Sequence, residues 1–98
     1  MAVSSTVEGN QLIIKVDGRF DFSSHQVFRK AYETSAKPDS YVVDMKGTSY
    51  IDSSALGMLL LLRDYAGGET AKITIVNCST DVKKILVISN FEALFEII

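Results

Sequence analysis

The chain has 98 residues, 47% hydrophobic and 22% charged, with a formal net charge of −2. That length suits one domain, residues 1–98, and the balance is that of a globular chain rather than a disordered one. Lys and Arg are scattered without a basic stripe, so no nucleic-acid partner is expected, and the lone Cys78 excludes a disulfide framework and leaves a zinc site without thiolate partners.

The opening "MAVSSTVEGN" lacks a basic segment followed by an apolar one, so it is not a secretory signal. With "GN" as the loop, "AVSSTVE" and the β-branched "QLIIKVDG" read as a hairpin that ends in an Asp-Gly turn. "SSHQVFRKAYETS" has helical spacing, with Val27/Ala31 and Phe28/Tyr32 four apart, Ser23 or Ser24 as the cap, and Pro38 as punctuation beyond its end. "YVVDM" reads as a short strand apolar enough to be buried on both faces. The strongest helix runs from Ser54 to Tyr65, capped by Ser53 and closed by Gly67-Gly68. "KITIVN" is another strand. "STDVKKILVIS" is a helix with Val82, Ile85, Leu86 and Ser89 on one face, and "FEALFEII" fits either a short helix or a last strand. The order is β-β-α-β-α-β-α. It implies an α/β fold: a mixed sheet of four to five strands with crossover helices packed against it. The apolar run Met58–Leu62 is too short for a bilayer, which needs about 20 such residues. The chain therefore reads as soluble and cytoplasmic, with no membrane partner.

The stretch "YIDSSALGMLLLLRDY" carries the functional signal. At ~100° per residue, Ala55, Met58, Leu59, Leu62 and Ala66 form one stripe suited to the core. Ser53, Leu56, Gly57, Leu60, Arg63 and Asp64 lie opposite. A solvent face would favour Glu or Lys over Leu56 and Leu60, and would avoid Gly57, which costs about 1 kcal/mol against Ala. This face is therefore expected to meet a partner. A helix apolar all round and buried deep in the fold is the other reading. Ser53 before the helix is suited to capping. It also stands where unpaired N–H groups and the helix dipole favour an added phosphate. Such a phosphate would bring about −1.5 to −2 charges to the face bearing Leu56 and Leu60.

Catalysis finds less support. No G-x-S-x-G elbow surrounds Ser53, Asp52 beside it would repel an oxyanion, and His25 is the only histidine. Neither nucleotide-binding glycine fingerprint is present. No enzyme activity, catalytic residue, metal or cofactor is expected.

The hairpin, "GRFDF", "YVVDM" and above all "YIDSSALGMLLLLRD" resemble the STAS domain of bacterial anti-sigma-factor antagonists, over nearly the whole chain from about Gln11. The family motif D-[ST]-S-G-L-G is matched by Asp52-Ser53-Ser54-Ala55-Leu56-Gly57 except at Ala55, where glycine is usual. Single-domain, partner-switching members from Gram-negative bacteria are the most similar. The resemblance implies a module that binds an anti-sigma factor, often itself a serine kinase, and so frees the sigma factor. Phosphorylation weakens that binding, or redirects it to another partner, and a PP2C-type phosphatase reverses the modification. By position the phosphoacceptor is Ser53, with Ser54 as the alternative, and Asp52 flanks it in the recognised loop. Gly18 and Asp21 match a G-x-x-D turn near the site, so Asp21 would steady that loop or contact the partner. A structural STAS subunit of a larger assembly, such as a transporter, is the competing reading; a small hydrolase is the third.

Overall fold

The protein is described by a computed structural model over residues 2–33 and 37–98. Strands β1 (Ala2–Glu8) and β2 (Gln11–Phe20) form the expected antiparallel hairpin, with Glu8 opposite Gln11. Gly9 in the loop has φ +60°, a conformation that suits glycine in a two-residue hairpin. The Asp17-Gly18 pair does not end β2. The strand runs on to Phe20 through a register shift between Gly18 and Arg19, and Gly18, at φ +83°, donates its N–H to the Gly47 carbonyl at 2.8 Å. A glycine that reads as a turn thus serves as a bulge inside a long strand.

Helix α1 (His25–Tyr32) follows a single 3-10 turn over Phe22–Ser24. Ser24 stands at the N-cap position of α1 as expected but makes no side-chain capping bond there; the side-chain cap belongs to Asp21, at the start of the 3-10 turn. Phe28 and Tyr32 are buried, whereas Val27 is 50% exposed, so only one of the two four-apart pairs faces the core. Thr34 and Ser35, predicted in this helix, lie outside the described residues.

Strand β3 (Ser40–Asp44) runs parallel to the first half of β2, and β4 (Thr48–Ile51) parallel to its second half. The two follow one another along the same edge of β2. The turn between them is tied down by the Thr48 N–H to the Met45 carbonyl at 3.0 Å and by the buried Thr48 hydroxyl to the Val16 carbonyl at 2.7 Å. Helix α2 (Ser53–Tyr65) leads to β5 (Ile73–Val76) beside β3, and α3 (Thr80–Ile88) leads to β6 (Glu96–Ile97) beside β5. The sheet order is β1-β2-β3-β5-β6 with β4 on β2, parallel everywhere except the hairpin. Parallel neighbours cannot be joined by tight turns, hence the helical crossovers. The α/β class holds, with six strands. "FEALFEII" resolves into a 3-10 turn at Phe91–Ala93 and then β6.

Leu12, Ile14, Val16, Tyr41, Val43, Ile73 and Ile75 point from the sheet into one core with Phe28, Leu59, Leu62, Val82 and Leu86 of the helices. The alternate residues Ile13, Val42 and Val76 are only half-buried. Strand β3 is therefore covered on one face, not on both as its sequence predicts.

Candidate functional site: two capping loops and the outer face of α2

Phe20 pairs with Ile51 across β2 and β4, and both are buried. The next residues, Asp21 and Asp52, leave the sheet side by side, and each caps the helical segment that follows. Asp52 has extended backbone, and its Oδ1 accepts the Ala55 N–H at 3.0 Å and the Ser54 hydroxyl at 2.6 Å. Asp21 repeats the device: its Oδ1 accepts the Ser23 N–H at 3.1 Å and the Ser23 hydroxyl at 2.5 Å. In return the buried Ser24 accepts the Asp21 N–H at 3.4 Å. The Ser23 hydroxyl chiefly holds the Asp21 carboxyl below its ordinary pKa, aided by the Ser23 N–H and Arg19. The Ser54 hydroxyl does the same for Asp52 with first-turn N–H groups, against partial desolvation and the neighbouring charge of Asp21.

The α2 cap is therefore one residue earlier than its sequence predicts. A carboxylate at the N-cap takes the backbone donors, which leaves Ser53 as the exposed first residue of the helix. Ser54 is half-buried and its hydroxyl is engaged by Asp52.

Along α2, Ala55, Met58, Leu59 and Leu62 are buried as expected, and Ala66, just past the helix, is half-buried. On the other side Ser53, Gly57, Leu60 and Asp64 are exposed, while Leu56 and Arg63 are half-buried, Leu56 packing on the core. Leu60 is 42% exposed, so α2 is not sunk in the fold on all sides. A Cβ added at Gly57 would meet nothing within 4 Å, so no contact inside the protein requires glycine there. Asp21, Asp52, Ser53 and Ser54 cluster at the start of α2. Arg63 and Asp64 lie ten and eleven residues further along, about 15 Å away at 1.5 Å per residue. The expected residues thus form a stripe rather than a pocket.

Several neighbours of the site were not singled out in the sequence. Arg19 stands opposite Tyr50, its guanidinium 4.2 Å from the ring centre and its Nε 3.4 Å from Asp21 Oδ2. This pair is invisible without β4. Phe22, 75% exposed, stacks on His25. Leu61, 51% exposed, borders a groove between α1 and α2 with His25, Arg29, Asp64 and Tyr65. An i+8 partner for Ser53 would have drawn attention to Leu61 only if α1 had been placed beside α2. Among the described residues, no three His, Cys, Asp or Glu side chains are grouped to hold a metal, and no helix is long and apolar enough to cross a membrane. Cys78 is half-buried against the core, and burial pushes its thiol pKa up, as suits an unreactive packing residue.

The family model described as "Mlab, STAS domain" matches residues 3–96. A STAS-domain containing protein of Pseudomonas aeruginosa (strain UCBPP-PA14) is 58% identical, over 99% of each chain. Solved structures share the fold at lower identity. An anti-sigma factor antagonist from Mycobacterium paratuberculosis is 16% identical, with TM-score 0.81 over 98% of this chain and 83% of that one. The antagonist SpoIIAA, unphosphorylated, is 18% identical, with TM-score 0.73 over 99% and 87%; the Bacillus SpoIIAA is also known in phosphorylated form. A sulfate transporter family protein from Wolinella succinogenes is 18% identical, with TM-score 0.78 over 95% and 82%.

Proposed function

The chain belongs to the STAS-domain family of the Mlab type, and from that premise we propose that it is an anti-sigma-factor antagonist switched by phosphate on Ser53. In this reading the outer face of α2 docks on an anti-sigma factor or its serine kinase, and sequestering that partner releases the sigma factor. A kinase that brings its own ATP modifies Ser53, and a PP2C-type phosphatase restores the hydroxyl. The protein itself catalyses nothing and works as one STAS domain in the cytoplasm.

One observation carries the reading: Ser53 is the exposed first residue of α2 and opens the stripe that contains Gly57 and Leu60. A phosphate there meets the positive end of its own helix, so the fold tolerates it. A partner seated on Leu60 meets an unpaired dianion at the edge of its interface, which costs several kcal/mol if it is desolvated. The carboxylate of Asp52 also separates the two hydroxyls, because Ser54 is held inward as a donor and Ser53 stands outside.

The test is affinity capture with Ser53→Ala and Ser53→Asp forms, beside phosphopeptide mapping after incubation with the captured kinase. An anti-sigma factor or kinase retained by Ser53→Ala and lost or exchanged by Ser53→Asp is the expected result. Modification confined to Ser54 would refute the acceptor assignment. The fold shared with the Wolinella sulfate transporter family protein supports a second reading, a structural subunit of a larger assembly. That reading expects the unmodified mass for protein recovered from cells under every condition.

A further inference from the structure

A phosphate on Ser53 would stand among carboxylates. Asp52 precedes it in the chain, and Asp21 emerges beside Asp52 from the paired strands. The cation on this seam is Arg19. It pairs in register with Tyr50, lies over that ring at 4.2 Å, and leans two residues forward so that its Nε is 3.4 Å from Asp21 Oδ2. Its side chain is 63% exposed. The contact with Asp21 is a single long hydrogen bond in solvent, a kind of pair that contributes little. Asp21 keeps the Ser23 N–H and hydroxyl without it.

Resting on the reading of Ser53 as phosphoacceptor, we propose that Arg19 is the residue that takes up the phosphate, leaving Asp21 to do so. Ser53 is three residues past Tyr50, the partner of Arg19, and three residues of extended chain span at most about 10 Å. The turn into α2 shortens that span, and Arg19 already points along it. A planar guanidinium can hold two phosphate oxygens at once, and a charge-assisted pair of this kind is far stronger than one exposed 3.4 Å contact. Arg19 also offsets the repulsion from Asp21 and Asp52, which the N–H groups of the first turn of α2 otherwise face alone. The phosphorylated protein then presents a phosphate fixed against the β2–β4 seam, with Tyr50 uncovered, rather than a mobile dianion.

The test uses protein carrying phosphoserine at position 53, installed during translation, so that it depends on no kinase or partner. The second ionisation of the phosphate is followed by 31P NMR against pH. The charged groups around it are Arg19, Asp21 and Asp52, with His25 at the start of α1 left intact throughout. A cation at the phosphate favours the dianion, so Arg19→Gln raises the second pKa, ordinarily near 6, by about half a unit to one unit. Arg19→Lys recovers part of the shift. Asp21→Asn lowers the pKa, because it removes both a competing acceptor and a like charge. Lys15→Gln, the same charge change four residues earlier on β2, serves as the control and leaves the pKa where it was. An Arg19→Gln pKa equal to that of the parent, or a shift of the same size in Lys15→Gln, overturns the proposal. A kinase that leaves Ser53 untouched sinks the switch itself and leaves this titration standing.

Discussion

The β2–α1 and β4–α2 connections begin alike and end differently. Phe20-Asp21-Phe22-Ser23-Ser24 and Ile51-Asp52-Ser53-Ser54-Ala55 each offer a buried apolar residue, a capping aspartate, an exposed residue, a serine hydroxyl on the aspartate and a small buried residue. Counted from the caps, Phe28 and Leu59 then hold the same place, both in the core. The next two positions diverge: Arg29 and Lys30 in α1, Leu60 and Leu61 in α2. In α1 the outward turn is charged and Arg29 bonds Glu33 one turn on at 2.9 Å, the ordinary solution for a helix in water. In α2 the same turn is leucine, and the exposed residue after the cap is Ser53 instead of Phe22. Both segments are capped and both bury their core residues, so folding alone does not call for the leucines or the exposed serine; the proposed docking of a partner on α2 would.

The largest effect separates adjacent residues. Leu59 is fully buried and Leu60 is 42% exposed. Leu59→Lys places a charge in the core and is expected to destabilise the protein by several kcal/mol after relaxation. Leu60→Lys changes stability by no more than about 0.5 kcal/mol, as at a typical surface site. The same Leu60→Lys buries an unpaired ammonium in the complex, and each 1.4 kcal/mol is about tenfold in affinity, so capture falls below detection. Thermal melting beside a pull-down checks both. If Leu60→Lys melts like Leu59→Lys, the wrong face of α2 has been given to the partner.

Much of this contrast was legible in the sequence, because it rests on period. The core stripe of α2, the hairpin and the helix α3 with buried Val82 and Leu86 follow from spacing alone. Strand β4 did not, because in Thr48–Ile51 the inward residues are the first and last and two exposed residues lie between them, which is no alternation. Losing β4 hid the pairing of Arg19 with Tyr50, and with it the parallel exit of the two aspartates. The α2 cap lies one residue before the expected Ser53, and in α1 Ser24 holds the cap position while the capping bond is made by Asp21 at the start of the 3-10 turn. Serine and aspartate are both good N-caps, and only the geometry decides which of them takes the backbone donors. The half-open sheet differs from the expectation because Asp44 shares its face with Val42, while Tyr41, Val43 and Met45 share the buried one; the alternation is short, and whether a second layer covers the outer face is a tertiary fact.

The second effect compares the caps. Asp52→Ala removes the bond to the Ala55 N–H from a 13-residue helix and is expected to cost about 1 kcal/mol. Asp21→Ala acts on a 3-10 turn whose Ser24 still meets the Arg19 carbonyl, and costs less. The pH dependence follows the same bonds. Both carboxyls have folded pKa values below the ordinary aspartate value, so near pH 3 to 4 the unfolded chain binds more protons than the folded one. Their contribution is complete above the unfolded pKa and is lost as pH falls through the lowered folded one. Urea melts from pH 6 to pH 2 check this: Asp52→Asn is expected to flatten the acid limb of the stability curve, and a limb as steep as the parent's would assign the acid sensitivity to other carboxylates.

The smallest effect is the sharpest on function. The place of Gly57, counted from the cap, is held in α1 by Gln26, an ordinary exposed helix residue. Gly57 has a negative φ, and the space where a Cβ would stand is open. Glycine therefore serves no turn and relieves no clash, yet it costs a helix interior about 0.5–1 kcal/mol against alanine, chiefly through the freedom of the unfolded chain. Gly57→Ala is expected to stabilise the isolated protein by that amount, visible as a higher melting temperature, whereas Gln26→Ala moves it by a few tenths at most. If the missing Cβ admits a partner's backbone close to α2, between Ser53 and Leu60, the same methyl weakens capture of that partner. Stabilisation together with weaker binding identifies Gly57 as a residue kept for the interface. Stabilisation with unchanged binding would confine the partner to the leucines and remove Gly57 from the docking stripe.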